Sequence, residues 1–549
     1  MQTPLRLLQN IALIGMLGAL LPLRADAQTS DAPPFQPNIL WITVEDMSPR
    51  LGAYGDTLAR TPNLDRFAEE GTRYTNAFSI SGVCAPSRSA LITGMYPTSI
   101  GTHHMRTTHE APGLPGPYLA VPPPQVKAFT EYLRAAGYYT SNNVKTDYQF
   151  GTPVTAWDES SNEAHWRDRE PGQPFFAVFN STRTHESKVW PDSTEERTTP
   201  AASVIVPPYY PDTPLVREDI ARHYDNIARM DTWVGEILAE LEASGLADST
   251  IVFFYSDHGD GLPRAKRWVY DSGLHVPLMI RWPEALRPEG YTPGSTEDRL
   301  VSFVDFGPTA LSVADVQVPD YMQGKPFLGG QETPPRDYIY AARDRHDEAY
   351  DRMRAARDKQ FKYIRNYMPE TAYVQPIEYR DRMPTMQELL RLNEEGKLEG
   401  PQKLWFRETR PEEELYDTQA DPWEINNLAA DSAYTDVLER MRGALDAWID
   451  EVGDLGATPE AEMVEAMWPG GEQPETAPPV LITEEEDGVV HIEITSPTEG
   501  ASVAYTTDEG EDAHWHLYTE PFEVAPGTTL RAKAIRYGYA ESKEMVADV

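Results

Sequence analysis

A single cysteine sets the chemistry that this chain could perform. Cys84 opens the run Cys84-Ala85-Pro86-Ser87-Arg88, which continues through Ser89-Ala90-Leu91-Ile92-Thr93-Gly94. The small, turn-forming residues Ser81-Gly82-Val83 precede it, and Ser89 to Ile92 are apolar and helix-capable. That pattern puts the thiol at the start of a helix, where backbone N–H groups without partners favour an anion. The bland alternative is a small buried hydrophobe. With no second cysteine in the chain, an internal disulfide is excluded. Other chemistry-bearing residues follow apolar runs. Glu45-Asp46 close the run Ile39 to Val44, Thr184-His185 follow Phe175 to Phe179, and Asp257-His258 follow Ile251 to Tyr255.

The elements that must position these residues are legible as runs and periods. The three apolar runs, with a fourth at Pro277 to Arg281, are apolar on both faces, as in strands of a parallel sheet covered by helices. Between them lie amphipathic helices, the clearest carrying Ile220, Tyr224, Ile227, Met230, Val234, Ile237, Leu238 and Leu241 and ending at Gly245. Strands alternating with helices predict a doubly wound, mainly parallel α/β sheet with helices on both faces. Ligands in such folds bind beyond the carboxyl ends of the strands. Glu45, Asp46, His185, Asp257 and His258 all fall there.

The run C-x-P-S-R-x-x-x-x-T-G resembles the signature of the type I sulfatases, alkaline phosphatase-like enzymes, at each fixed position. The resemblance covers roughly residues 36 to 470. It implies that Cys84 is oxidised to formylglycine (3-oxoalanine) by a formylglycine-generating or anaerobic maturase enzyme, the hydrated aldehyde being the nucleophile. It also implies a metal site, with Cys84 itself at the ion. Glu45-Asp46 and Asp257-His258 match the family's ligand positions, with Glu in place of the usual first Asp and His in place of the commoner Asn. Ca²⁺ is the expected ion, being hard and oxygen-seeking; the imidazole suits transition metals as well. Taken singly, Glu45-Asp46 reads as a solvated loop pair and His258 as a core histidine, but their joint placement with Cys84 favours the metal.

Further roles follow by the same resemblance. Arg88 holds the formylglycine hydrate, and Lys266, before Trp268-Val269-Tyr270-Asp271-Ser272-Gly273, contacts the sulfate. His185, in a Thr-His pair, is the general acid for the leaving sugar oxygen, and its carboxylate-rich neighbourhood is expected to favour the charged form. Lys145 matches the lysine of a Lys-x-His segment, but Asp147 stands where relatives carry the histidine. His104 is a stand-in for that histidine by composition alone. Surface solvation is the bland alternative for both lysines.

The implied activity is hydrolysis of sulfate esters on an anionic polysaccharide, algal (ulvan-like) or a glycosaminoglycan. A His-rich segment after the signature favours, as a variant, an N-sulfoglucosamine sulfohydrolase. An alternative of another class is a non-catalytic carbohydrate-binding relative in which Cys84 stays a thiol. A phosphatase-like relative would present Ser or Thr as nucleophile, which Cys84 disfavours.

The 549 residues exceed one core. The first 27 read as a cleavable signal peptide: Arg6, the apolar stretch Ile11 to Leu23, and Ala25-Asp26-Ala27. A periplasmic or secreted protein is expected, with no membrane span in the mature chain. Residues 28–345 are expected to form the catalytic domain and 346–470 a smaller α+β subdomain. The proline-rich 471–480 reads as a linker that few contacts cross. Short alternating runs in 481–549 predict a small β-sandwich. Its segment Gly500 to Asp508 resembles a module of chitobiase-like hexosaminidases, and an accessory role is expected. A net charge of −39 argues against nucleic acid and anionic membranes. Anionic substrates therefore require basic residues gathered locally.

Overall fold

In the computed structural model, eight strands form one mixed sheet whose centre carries the residues singled out above. Described are residues 36–110, 113–190, 196–510 and 513–549; the signal-peptide expectation lies outside them. The strands are β1 (Asn38–Val44), β2 (Thr72–Phe78), β3 (Tyr139–Asn143), β4 (Glu159–Ser160), β5 (Phe175–Ser181), β6 (Thr250–Ser256), β7 (His275–Arg281) and β8 (Thr296–Ser302). Their order is β4-β3-β5-β1-β6-β7-β2-β8. Pairing is parallel from β4 to β6 and between β2 and β8, while β7 is antiparallel to both neighbours.

Every residue of β1 and β6 is buried, as expected for strands covered on both faces. The long helix Pro214–Ala243 covers one face, burying the apolar stripe from Ile220 to Leu241. Its N-cap Thr213 accepts a hydrogen bond from the Val216 amide. A second, antiparallel sheet is built from Glu413–Asp417, Phe361–Asn366, Met353–Arg357 and Ile339–Arg343.

Residues from Val480 onward form two small antiparallel sheets of three and four strands around Val490, Ile492, Leu530 and Ala532. Contrary to the sequence expectation, many contacts tie this module to the rest. Tyr537, fully buried, joins the same apolar cluster as Phe129, Tyr148 and Phe150. Its hydroxyl donates to Glu131 Oε1 at 2.8 Å and accepts from the Ala128 amide at 3.0 Å. The 471–480 stretch is itself pinned: Thr476 N donates to Ala540 O and Ala540 N to Pro474 O.

Candidate active site

Three adjacent central strands deliver the site. From the carboxyl end of β1 come Glu45 and Asp46, from β5 His185 and Glu186, and from β6 Asp257 and His258. The backbone locks these ends together: Asp257 N donates to Val44 O at 2.9 Å, Met47 N to His258 O at 3.2 Å, and Glu45 N to Ser181 O at 3.2 Å. Asp46 adopts φ +54°, a left-handed conformation uncommon for a side-chain-bearing residue. It turns the carboxylate inward, where Glu186 N donates to Oδ2 at 2.7 Å.

Cys84 is the first residue of the buried helix Cys84–Thr93, and its N-cap, Val83, makes no side-chain capping bond. Gly82 fixes the approach to that helix: a Cβ there would meet Trp268 O at 2.5 Å. The segment holding Lys266 thereby packs directly behind the cysteine turn.

Asp46, Cys84, Asp257 and His258 are all buried, and their donor atoms lie within 4.8 Å of one another. Cys84 Sγ is 3.5 Å from His258 Nε2, which is 3.0 Å from Asp46 Oδ1 and 3.7 Å from Asp257 Oδ1. His258 Nδ1 faces Gly259 O at 3.0 Å, so a proton on Nδ1 leaves Nε2 to a cation. Burial opposes charge on this imidazole, yet Asp257 and Asp46 push its pKa up to about 10. Burial likewise opposes ionisation of Asp46, but Lys266, His185 and His258 hold it well below the ordinary carboxylate range. The site thus demands positive charge at Nε2, and the donor set fits a divalent cation. Titration with a divalent cation should raise the melting temperature, with roughly 2.7 kcal/mol of stabilisation at a hundredfold excess over Kd. Asp257→Asn should flatten that rise; an identical rise in the variant would place the ion elsewhere.

Glu45 takes a different position from the one its sequence neighbour suggests. It groups with Asp46 and His185 rather than with Cys84. Its Oε1 pairs with Lys145 Nζ at 2.8 Å and its Oε2 with His185 Nε2 at 3.8 Å. Lys145 also reaches Asp147 Oδ2 at 3.4 Å. Lys266 Nζ lies 2.7 Å from Asp46 Oδ2 and 3.0 Å from Glu186 Oε1. Arg88 donates through Nε to Asp257 Oδ2 at 3.1 Å and through Nη1 to Asn180 Oδ1 at 2.8 Å, while its buried Nη2 has no partner among the described residues. The basic residues are therefore gathered against the global charge, each held by a carboxylate.

His185 is 17 % exposed at its side chain, and its Nδ1 lies 2.9 Å from Ser187 Oγ. The expectation that surrounding carboxylates favour its charged form is not met. Burial first, and Lys266 second, lower its pKa despite Asp46 and Glu45. His104 stands apart from this cluster: its ring is 4.2 Å from His103, and its Nδ1 accepts from Arg345 N at 3.3 Å. Glu186, Asn180 and Arg267 were missed in the sequence. Arg267 clamps both oxygens of Glu186 at 2.9 Å and so fixes the partner of Lys266. The adjacency of Glu186 to His185 and of Arg267 to Lys266 was the only available signal.

Comparison with known proteins agrees with this geometry. The sulfatase family model matches residues 37–316, the model of the N-sulphoglucosamine sulphohydrolase C-terminal region 263–394, and that of the chitobiase/β-hexosaminidase C-terminal domain 486–546. An ulvan-active sulfatase of Formosa agariphila is 46% identical over 551 residues, covering 93% of this chain and 91% of the relative. Human N-sulphoglucosamine sulphohydrolase is 26% identical over 468 residues, covering 76% and 90%. Among solved structures, a complex with D-glucosamine-2-N,6-O-disulfate has a TM-score of 0.52 at 18% identity, covering 77% of this chain and all of that one. The phosphonate monoester hydrolase of Agrobacterium radiobacter has a TM-score of 0.54 at 19% identity, covering 76% and 96%. Those two show the alkaline phosphatase-like fold alone. Sulfatases generally use formylglycine and a divalent metal, and the family match over the strands and the helix that carry Asp46, Asp257 and Cys84, with the relative aligned along nearly the whole chain, settles the assignment: this chain belongs to the sulfatase family and is a sulfuric ester hydrolase.

Proposed function

We propose that the chain removes sulfate esters from an anionic polysaccharide of the ulvan type, using formylglycine made from Cys84 and a calcium ion. The observation that carries this reading is the convergence of Cys84 Sγ and His258 Nε2 at 3.5 Å with Asp46 and Asp257, in a chain 46% identical to an ulvan-active sulfatase. The signal-like first residues favour a periplasmic or secreted location, with maturation of Cys84 by a formylglycine-generating or anaerobic maturase enzyme.

Position 84, once matured, supplies the hydroxyl that attacks sulfur. Asp46, Asp257 and His258, with Glu45 nearby, would hold the ion, which would supply Lewis acidity toward the sulfate oxygens. Arg88 is braced by Asp257 and Asn180, so its free Nη2 is aimed without reorganisation at the reacting group. Lys145 and Lys266 neutralise sulfate charge from opposite partners, Glu45 and Glu186. His185 Nε2 is placed to protonate the leaving oxygen. Its lowered pKa in the free site implies that the negative charge of a bound sulfate ester draws the proton on.

His185→Ala should slow hydrolysis of an alkyl (sugar) sulfate by roughly 10²- to 10⁴-fold, because an alkoxide needs a proton to leave. An aryl sulfate, with a good leaving group, should lose much less. Equal losses on both substrates would remove His185 from the acid role.

A second reading, an N-sulfoglucosamine sulfohydrolase, is favoured by the match at residues 263–394. Peptide mass across Cys84 and sulfate release from defined O-sulfated and N-sulfated saccharides test both readings. An unmodified thiol with no release would instead favour a carbohydrate-binding relative.

A further inference from the structure

Asp46 ends a chain of alternating charge that runs outward through Lys266, Glu186, Arg267 and Asp347 to Arg106. Successive contacts are 2.7, 3.0, 2.9, 3.2 and 2.5 Å. The first five members are buried. Arg106, the outer end, has 26% of its side chain open and sits over the Tyr379 ring at 4.3 Å. Buried ion pairs contribute little net stability, because desolvation offsets their attraction. Stability alone therefore does not account for five buried charges in a row. Nor is the backbone relaxed: Asp46, Arg267, Asp347 and Arg106 adopt φ of +54°, +76°, +52° and +59°. Residues with side chains hold such angles only where their neighbours over-determine them. At Asp347 the neighbour is Arg345, which Glu460 grips at 2.7 Å through two nitrogens and which donates to Asp347 O at 2.6 Å.

The effect of this arrangement is visible at Asp46. Its Oδ2 accepts from Glu186 N and from Lys266 Nζ, each at 2.7 Å. Gly261 seals that side, since a Cβ there would meet Oδ2 at 2.9 Å. Oδ1 alone is left to face His258 Nε2, at 3.0 Å, and the cation position between them. Lys266 is shared with Glu186 and so is kept from closing wholly onto Asp46. Asp347 follows the strand Ile339–Arg343 of the second sheet, so the smaller subdomain reaches into the site through this one carboxylate.

We infer that Asp347, acting through Arg267 and Glu186, is a positioning residue for Lys266, and that it thereby sets both the grip on sulfate and the single oxygen that Asp46 offers a cation. The inference rests on the reading above in which Lys266 contacts the sulfate. Without the Asp347 charge, Arg267 loses its second partner and its clamp on Glu186 loosens. Lys266 then closes on Asp46, opposes an incoming cation and is withdrawn from the sulfate.

The test is a double-mutant cycle in the full chain. It is read by the kinetics of sulfate release from a sugar sulfate and by divalent-cation affinity from the rise in melting temperature. Asp347→Asn, which keeps the shape and drops the charge, should raise KM and the cation Kd each by roughly tenfold, with kcat moving less. Asp347→Glu should recover part of both losses. Arg267→Lys, which lacks the fork that spans the two Glu186 oxygens, should lose as much as Asp347→Asn. In a Lys266→Met background, Asp347→Asn should change neither quantity by more than about twofold, because the group it positions is gone. If Asp347→Asn unfolds at the assay temperature, Arg267→Lys takes its place in the cycle. Losses that multiply across the two sites, or a charge-neutral variant with wild-type KM and cation affinity, would overturn the positioning role and leave the sulfatase reading intact. No sulfate release by the wild type, with the cation cycle as expected, would remove the sulfatase reading and keep the positioning role. Neither release nor cation binding by the wild type would take both down.

Discussion

Cys84→Ala is expected to leave the fold intact and to reduce sulfate release by roughly 10³-fold or more, the scale on which loss of a nucleophile acts. The thiol is 2% exposed and begins a helix in which every residue is buried. Alanine suits that helix, and removing one sulfur leaves a cavity worth about 1 kcal/mol, so the melting temperature should move little. What disappears is the atom that faces His258 Nε2 at 3.5 Å. The remaining groups proposed to bind sulfate, Arg88, Lys145 and Lys266, stay in place, so a substrate should protect the variant against thermal unfolding while turning over poorly. Sulfate release measured alongside that protection separates loss of chemistry from loss of binding. Turnover at the wild-type rate would show that position 84 does not supply the nucleophile.

Much of the site was legible because its residues lie directly after apolar runs. A strand buried on both faces must be apolar throughout, so the first polar residues after it mark where the chain leaves the sheet. Glu45-Asp46 and Asp257-His258 are such residues. The direction of a strand is not written in the same way. The β7 run His275–Arg281 has a buried apolar centre like that of β6, yet it is antiparallel to both its neighbours. Contacts between distant residues were equally silent. Glu186 meets Lys266 and Arg267 across eighty residues of sequence or more, and Asn180 meets Arg88 across 92. No local period encodes such pairings. The charge state of His185 failed for a related reason: counting nearby carboxylates omits burial and the Lys266 ammonium, which together outweigh them.

Removing the chain from Pro479 onward is expected to destabilise the catalytic domain and depress even aryl sulfate hydrolysis, opposite to what a proline-rich linker suggests. The module is anchored on the helix Phe129–Ala135 and the residues just before it. Ser502 Oγ donates to Glu131 Oε2 at 2.7 Å, Lys127 Nζ reaches Ser502 Oγ at 2.8 Å, and Arg134 Nη2 donates to Trp515 O at 2.7 Å. Truncation strips the 6%-exposed Glu131 of its Ser502 and Tyr537 donors and uncovers the pit that Tyr537 fills. The summed loss of that aromatic packing and of the buried hydrogen bonds is about 3–5 kcal/mol. The consequence for catalysis runs through stacked rings. Tyr537 lies on Phe150 at 5.2 Å, Phe150 on Tyr148 at 5.8 Å, and Tyr148 lines the same small cavity as Lys145 and Arg88. With Tyr537 gone, the segment that presents Lys145 to Glu45 loses its backing, and activity on a small aryl sulfate should fall at least about tenfold, since small misplacements in a site are costly. Tyr537→Ala in the full chain should reproduce most of the loss, and Tyr537→Phe, which keeps the ring and drops the hydroxyl, should restore most of the rate. A truncated chain with unchanged melting temperature and full aryl sulfatase activity would show that the module is a passenger.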